Sequence, residues 1–385
     1  MTRSTTAAPG AYPLVAGRPA AATYEWEPGN GQLAARIGLD PAEILRFDLN
    51  TVPTTSGTAL LALAGASGSV PLSEYPPSDY GELVAAAAAA YGVDASEIAV
   101  GAGADEILTL VAMTFLAPGK RAVVPTPTYS MYRIVSEQRG ATVTAVPRLG
   151  PADGYALDVP AVAAASRGAD LLWLCDPNNP TGLPEPEGSL DTLLEALAAD
   201  ARANGLAAPL VVIDEAYAEF MGRIAIDVKP AARPGTIVVR TASKAYGLAG
   251  LRIGFGIAPR PTIGLLESYR APAPVSSVSA VVVAAALGDP QGLRTGTAQI
   301  AGERRRLAEA LDALGLPTRP SVTNFVLIPF PSAAAAGAIA DALLARGLVV
   351  RRYEGDHPLA DHLRITVRAR DENDRLLAAL EDLKR

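Results

Sequence analysis

Cysteine and histidine are the scarcest chemical tools in this chain. Its 385 residues include a single cysteine, Cys175, so no internal disulfide can form and no cysteine-rich metal site can be built. Only His357 and His362 could supply imidazole, which leaves a histidine-rich metal centre and a Ser-His-Asp triad without their parts. No metal site is expected. Positive charge is also short: 33 Lys and Arg stand against 40 Asp and Glu, a net charge of −7. No positive field is left over to collect nucleic acid or an anionic membrane. Long apolar runs are missing too. The alanine run 85–90 and the strand-like run 280–287 fall well below the ~18 residues a membrane helix needs. The opening MTRSTTAAPG has no apolar stretch of the secretory kind. These absences lead to the expectation of a soluble, cytoplasmic protein.

What is present is ample for folding. The chain is 49% hydrophobic and 19% charged, and at ~150 residues per domain its length suggests two or three domains. Residues 1–55 are rich in Pro, Gly and Thr and read as an irregular arm with one short helix. From there, short β-like runs at 97–100, 121–124, 142–146, 171–175, 210–214 and 236–240 alternate with helical stretches at 80–91, 105–116, 129–139 and 189–202. Ser78 and Asp79 are candidate caps for the first of these helices. That alternation is the signature of an α/β fold with a mostly parallel sheet, and strands apolar throughout fit a sheet covered on both faces. Near Pro272 the rhythm changes to a helical region at 276–314, a strand at 324–329, a helix at 333–346, strands at 348–352 and 363–367, and a final helix capped by Asp371. The division expected is an arm (1–55) joining the small domain, a large domain (56–275) and a small α+β domain (276–385).

In open parallel sheets, ligands bind beyond the carboxyl ends of the strands. Three successive strands deliver chemistry there: DPNNPTG (176–182), DEAY (214–217), and TASK (241–244) with Arg252 eight residues on. An amide, a carboxylate and an amine thus reach one edge. A lysine kept from water has a depressed pKa and can condense with an aldehyde. A buried carboxylate keeps a pyridine nitrogen protonated and makes its ring an electron sink. Ser243 and Arg252 suit a dianionic phosphate, and Gly101-Ala102-Gly103-Ala104-Asp105 lies where a helix N-terminus would add backbone N–H groups. The cofactor these parts describe is pyridoxal phosphate. Taken singly, each residue has a plainer reading: a surface lysine, an N-capping aspartate, a turn-ordering asparagine.

The ordered set resembles the fold-type I aminotransferases in DPNNPTG (176–182), VVIDEAY (211–217), SKAYGLAGLRIG (243–254) and LRITVR (363–368). GAGADEIL (101–108) and PTPTYSMY (125–132) are most similar to histidinol-phosphate aminotransferases. The likeness runs over about 40–380. It implies a large domain with a seven-stranded, mostly parallel sheet and a smaller α+β domain. Lys244 would be the Schiff-base lysine and proton shuttle, Asp214 the partner of the pyridine nitrogen, and Asn179 and Tyr217 the partners of the ring oxygen. Tyr129 would stack on the ring. Gly103, Ala104, Asp105, Ser243 and Arg252 would hold the phosphate, joined by Tyr75 from a neighbouring subunit of a homodimer. Arg364 would take the substrate's carboxylate or phosphate, with Arg351 assisting and Asn179 and Tyr129 alongside. Adjacent strand residues face opposite ways, so only one of Arg351 and Arg352 can enter the site. His357, His362 and Cys175 are read as non-catalytic, and Trp26 and Trp173 as packing residues.

The resemblance implies transamination between glutamate/2-oxoglutarate and an amino or oxo phosphate such as histidinol phosphate, in histidine biosynthesis. Two departures bear on the substrate. Asn50-Thr51-Val52-Pro53-Thr54 replaces a polar residue and an aromatic of the family's N-terminal segment, and Glu-Tyr-Pro-Pro-Ser-Asp (74–79) lacks the aspartate of Tyr-Pro-Asp-Pro. The altered Thr54 region keeps open an aminotransferase for aromatic or other amino acids, and a threonine-phosphate-decarboxylase-like lyase stays open because such lyases share these motifs. A non-enzymatic regulator does not suit an intact lysine, aspartate and arginine set.

Overall fold

The structure, a computed structural model, describes residues 23–24, 27–223 and 235–384. Trp26 lies outside the described residues. The strands are β1 (Leu45–Phe47), β2 (Ile98–Gly101), β3 (Arg121–Thr126), β4 (Thr142–Pro147), β5 (Leu171–Cys175), β6 (Leu210–Asp214), β7 (Thr236–Thr241), β8 (Gly254–Ile257), β9 (Phe325–Pro329), β10 (Leu348–Arg352) and β11 (His362–Thr366). The first helices are α1 (Asn30–Ile37), α2 (Gly57–Ser69), α3 (Gly81–Tyr91), α4 (Ala104–Phe115), α5 (Met131–Gln138) and α6 (Val159–Ser166). There follow α7 (Ser189–Asn204), α8 (Arg260–Glu267), α9 (Ser277–Leu287), α10 (Pro290–Ala313), α11 (Ala333–Leu344) and α12 (Arg370–Asp382).

The large sheet has seven strands in the order β2-β8-β7-β6-β5-β3-β4. Only β8 runs antiparallel to its neighbours. Alternation along β5 shows why the centre is apolar on both faces. Leu171, Trp173 and Cys175 pack with α4, α5 and α8, while Leu172 and Leu174 pack with α6 and α7. A second sheet, β1-β10-β11-β9, takes its edge strand from the N-terminal segment: β1 pairs parallel to β10 through Leu45–Leu348 and Phe47–Val350. Among the described residues, no helix is long and apolar enough to cross a membrane, and no cluster of His, Cys, Asp and Glu could hold a metal ion.

Several local expectations are corrected. The helix α2 stands where no element was expected. Its sequence GTALLALAGASGS is small and apolar on every side, so no helical periodicity marks it; Ser56 caps it by accepting from the Ala59 N–H at 3.1 Å. The helical region 276–314 is two helices, broken at Gly288-Asp289, with Pro290 at the first position of α10, where a missing N–H costs nothing. Neither Ser78 nor Asp79 is the N-cap of α3; Tyr80 is, in a left-handed conformation, its hydroxyl bonded to both backbone groups of Val275 at 2.8 Å. Asp371 lies inside the first turn of α12 rather than capping it. The cap is Ala369, whose N–H donates to Glu372.

Candidate active site

The carboxyl ends of β5, β6 and β7 open into one cavity of about 260 Å³. Asn179, Asp214 and Lys244 line it, as do Ala104, Asp105, Tyr129, Tyr217, Ser243, Arg252, Arg351 and Arg364. Register does the positioning: Cys175 pairs with Asp214 and Asp214 with Val239, so β5 and β6 end level and β7 runs on to Thr241 beside them.

Asp214 is buried. Burial pushes its carboxyl up to about 6, against the opposing pull of donors from Tyr132 Oη (2.8 Å, to Oδ2) and the Ala216 N–H (3.0 Å, to Oδ1). Burial lowers Lys244 to about 8, helped by the nearby Arg364 guanidinium and opposed by Asp105. Its Nζ sits 5.7 Å from the centre of the Tyr217 ring. A weakly basic amine and a buried carboxylate with no cation in contact among the described residues thus share one pocket.

The anion-holding end forms where α4 begins. Gly103 is its N-cap at φ +87°, with no side-chain cap, so the first N–H groups are free to take an anion. Gly254 makes the approach possible: a Cβ there would lie 2.3 Å from the Ala104 nitrogen. Arg252 comes within 3.4 Å of Asp105 Oδ2, and Tyr129 Oη donates to Asp105 Oδ1 at 3.0 Å. The side chain of Asp105 therefore spaces two of the expected groups, a role the expectation of backbone contacts alone did not include.

On the opposite wall, Arg364 is buried and donates to Asn179 Oδ1 (2.7 Å) and the Asp48 carbonyl (2.7 Å). Its Nε has no well-formed partner, and neither has the hydroxyl of neighbouring Tyr353. Arg351 is the cross-strand partner of Arg364. It lines the cavity, whereas Arg352 points away to Asp341 and Glu354. The two asparagines of DPNNPTG divide their work: Asn178 ties the turn to Thr128, Pro127 and Thr181, and Asn179 faces the cavity.

Tyr75 is not brought to this cavity; it stands 94% exposed on the chain's surface. His357 had been set aside, yet it reaches the cavity rim, stacked on Tyr353 with ring centres 4.5 Å apart. Cys175 also lines the cavity, its thiol pushed up to about 12 by burial and so unreactive. His362 is buried between Asp361 and Tyr155. Trp173 packs as expected, and in doing so supports the site: it stacks on Tyr132 at 5.5 Å and donates to Ser136.

Sequence reasoning missed four cavity groups besides Tyr353. Tyr132 holds Asp214; its only signal was its place in PTPTYSMY. Asn50 Nδ2 donates to Tyr217 Oη at 2.9 Å, which leaves the phenol proton free to point elsewhere. Tyr24 and Glu27 close the outer wall, and nothing in their local sequence announces it.

The residues fit pyridoxal phosphate. The free N–H groups at Gly103–Asp105 together with Ser243 and Arg252 match its phosphate. The buried carboxylate of Asp214 matches a protonated ring nitrogen, and Lys244 the aldehyde.

Comparison with known proteins gives the same direction. The family "Aminotransferase class I and II" matches residues 43–380. A histidinol-phosphate aminotransferase of Roseiflexus castenholzii is 38% identical over 360 residues, covering 91% of this chain and 92% of its own. Another from Symbiobacterium thermophilum is 36% identical, covering 88% and 90%. Among solved structures, a histidinol-phosphate aminotransferase of Sinorhizobium meliloti in complex with pyridoxal-5'-phosphate superposes with a TM-score of 0.83 at 28% identity, covering 93% of this chain and 95% of that one.

Proposed function

The chain belongs to the class I and II aminotransferases, and from that premise we propose that it is a histidinol-phosphate aminotransferase exchanging amine with 2-oxoglutarate. The observation that carries the reading is the pair of cross-strand arginines, Arg351 and Arg364, on the wall of the cavity that holds Lys244. Such a pair suits an anion with more than two oxygens.

The cofactor is pyridoxal phosphate, whose aldehyde condenses with amines and whose ring, when bound, withdraws the electron pair released at the substrate's Cα. The residue roles follow from the chain's own chemistry. Lys244 Nζ is the attachment point and then the base that carries the proton at the substrate's Cα; its pKa near 8 lets it take and return that proton close to neutrality. Asp214, held by Tyr132 and Ala216, accepts from the ring nitrogen. Tyr217, already accepting from Asn50, has its proton to give to the ring oxygen, and Asn179 Nδ2 is free for the same atom because Arg364 occupies its Oδ1. Tyr129 covers the ring, and Gly103, Ala104, Asp105, Ser243 and Arg252 hold the phosphate. Arg364 takes the substrate anion with Arg351 beside it.

The same reading includes a homodimer. Leu60, Leu61 and Leu63 of α2, with Leu72, Tyr75 and Val281 of α9, are exposed apolar side chains, and α2 packs on α9; exposed apolar side chains of this kind suit burial by a partner. A second copy covering them would bring Tyr75 to the partner's cofactor phosphate. The arm, large domain and small domain divide at about 55 and 275, although α9 packs on α2 and α3 across the second boundary. A cytoplasmic location follows from the substrate, because a phosphomonoester dianion does not cross a bilayer unaided.

The test is turnover of histidinol phosphate with 2-oxoglutarate, read as glutamate formed. Glutamate production without carbon dioxide release supports the reading. Carbon dioxide released from an amino acid phosphate, with no glutamate, replaces it with a lyase.

A further inference from the structure

Two carboxylates stand on the outer wall of the cavity. Asp48 is held by Arg46 at 2.7 Å. Glu27 instead holds Arg351: Nη1 donates to Oε1 at 2.8 Å, and Tyr24 Oη donates to the same oxygen at 3.0 Å. The pair is only partly buried, with 32% of the arginine and 23% of the glutamate side chain exposed. The two arginines of the anion subsite are therefore in different states. Arg364 is fixed by neutral acceptors, Asn179 Oδ1 and the Asp48 carbonyl, and keeps its positive charge uncompensated. Arg351 already has an anion.

A carboxylate has two oxygens and is satisfied by one guanidinium fork. A phosphomonoester has three terminal oxygens and a second negative charge, and it reaches for a second guanidinium. Arg351 and Arg364, opposite one another across an antiparallel pair, have Cβ atoms ~5 Å apart, which one phosphate spans. We propose that Glu27 is an internal competitor for Arg351, displaced by a phosphate and left in place by a carboxylate, so that it sets the site's discrimination between the two kinds of anion. This rests on the assignment of Arg364 and Arg351 to the substrate anion made above.

The experiment uses unreactive probes, inorganic phosphate and acetate, as competitors of glutamate in the half-reaction followed by the absorbance of the bound cofactor. In Glu27→Gln the inhibition constant of phosphate falls about five-fold, the upper end for a partly exposed ion pair, and falls well beyond that of acetate. The KM for histidinol phosphate falls relative to that for glutamate in the same proportion. Made in an Arg351→Gln background, Glu27→Gln has no further effect on phosphate. Equal shifts for phosphate and acetate overturn the proposal. So does weaker phosphate binding in Glu27→Gln, which makes Glu27 a support for Arg351 rather than its competitor. Persistence of the effect without Arg351 overturns it as well. If the wild-type enzyme does not convert histidinol phosphate, the proposed function fails, and the phosphate and acetate comparison still decides the role of Glu27.

Discussion

Replacing Tyr132 by phenylalanine tests the electrostatics of the site without any ligand. Tyr132 is fully buried, its hydroxyl 2.8 Å from Asp214 Oδ2, and among the described residues only the Ala216 N–H also donates to that carboxylate. Burial raises Asp214 from 3.8 to about 6. A carboxyl that binds its proton more tightly when folded favours the native state at low pH, and that advantage is lost as pH rises from 3.8 to about 6. The loss amounts to ~3 kcal/mol, at ~1.4 kcal/mol per unit. A hydrogen bond to an ionised group contributes ~1.5–3 kcal/mol, against ~1 kcal/mol to a neutral one. Tyr132→Phe therefore lifts Asp214 by a further ~1 unit and destabilises the cofactor-free protein by ~1 kcal/mol at pH 5, where the carboxyl is protonated in both proteins, but by ~2–3 kcal/mol at pH 8. Urea unfolding at the two pH values measures this directly, with Trp173, stacked on Tyr132, as a fluorescent reporter. A destabilisation equal at pH 5 and pH 8 would refute the idea that Tyr132 sustains the charge on Asp214.

Three other consequences are open to measurement. Lys244→Ala should abolish both cofactor attachment and turnover, and in the wild type the rate of attachment should climb with pH and level off above about 8, where the amine is neutral; near-normal turnover in the alanine variant would end the proposed mechanism. Gly254→Ala puts a Cβ 2.3 Å from the Ala104 nitrogen and so pushes the start of α4 away. Cofactor affinity should fall at least ~10-fold, with a stability cost of ~1–3 kcal/mol, both readable by cofactor titration and thermal melting. Arg240→Met strips from the buried carboxylates Glu215 and Glu219 the cation that contacts both, at 2.6 and 3.0 Å, and leaves only the more distant influence of Arg223 on Glu215 among the described residues. The loss should reach ~3–5 kcal/mol near neutral pH and shrink on acidification, because burial already raises both carboxyls and protonation relieves them.

The sequence by itself determined the cofactor end of the site. Asp214 follows directly on a run of apolar residues, Asn179 and Lys244 lie in the turns just past the ends of β5 and β7, and a buried strand in a parallel sheet leaves no choice about where its next polar residues emerge. Local spacing carried Ser243, Arg252 and the start of α4 in the same way. Elements without periodicity stayed hidden, as α2 did, because a helix apolar on all sides has no polar face to betray its turn. What only the tertiary structure decided lies far apart along the chain. Tyr132 meets Asp214 across 82 positions, Asn50 meets Tyr217 across 167, and Arg351 meets Glu27 across 324. The choice between Arg351 and Arg352 was likewise a matter of pairing, settled when Arg351 fell opposite Arg364 in the small sheet. Such contacts depend on strand order, register and the return of the N-terminal segment to that sheet. A one-residue slip in the small sheet would turn Arg351 or Arg364 to the other face, and no local pattern of residues records which way they fall.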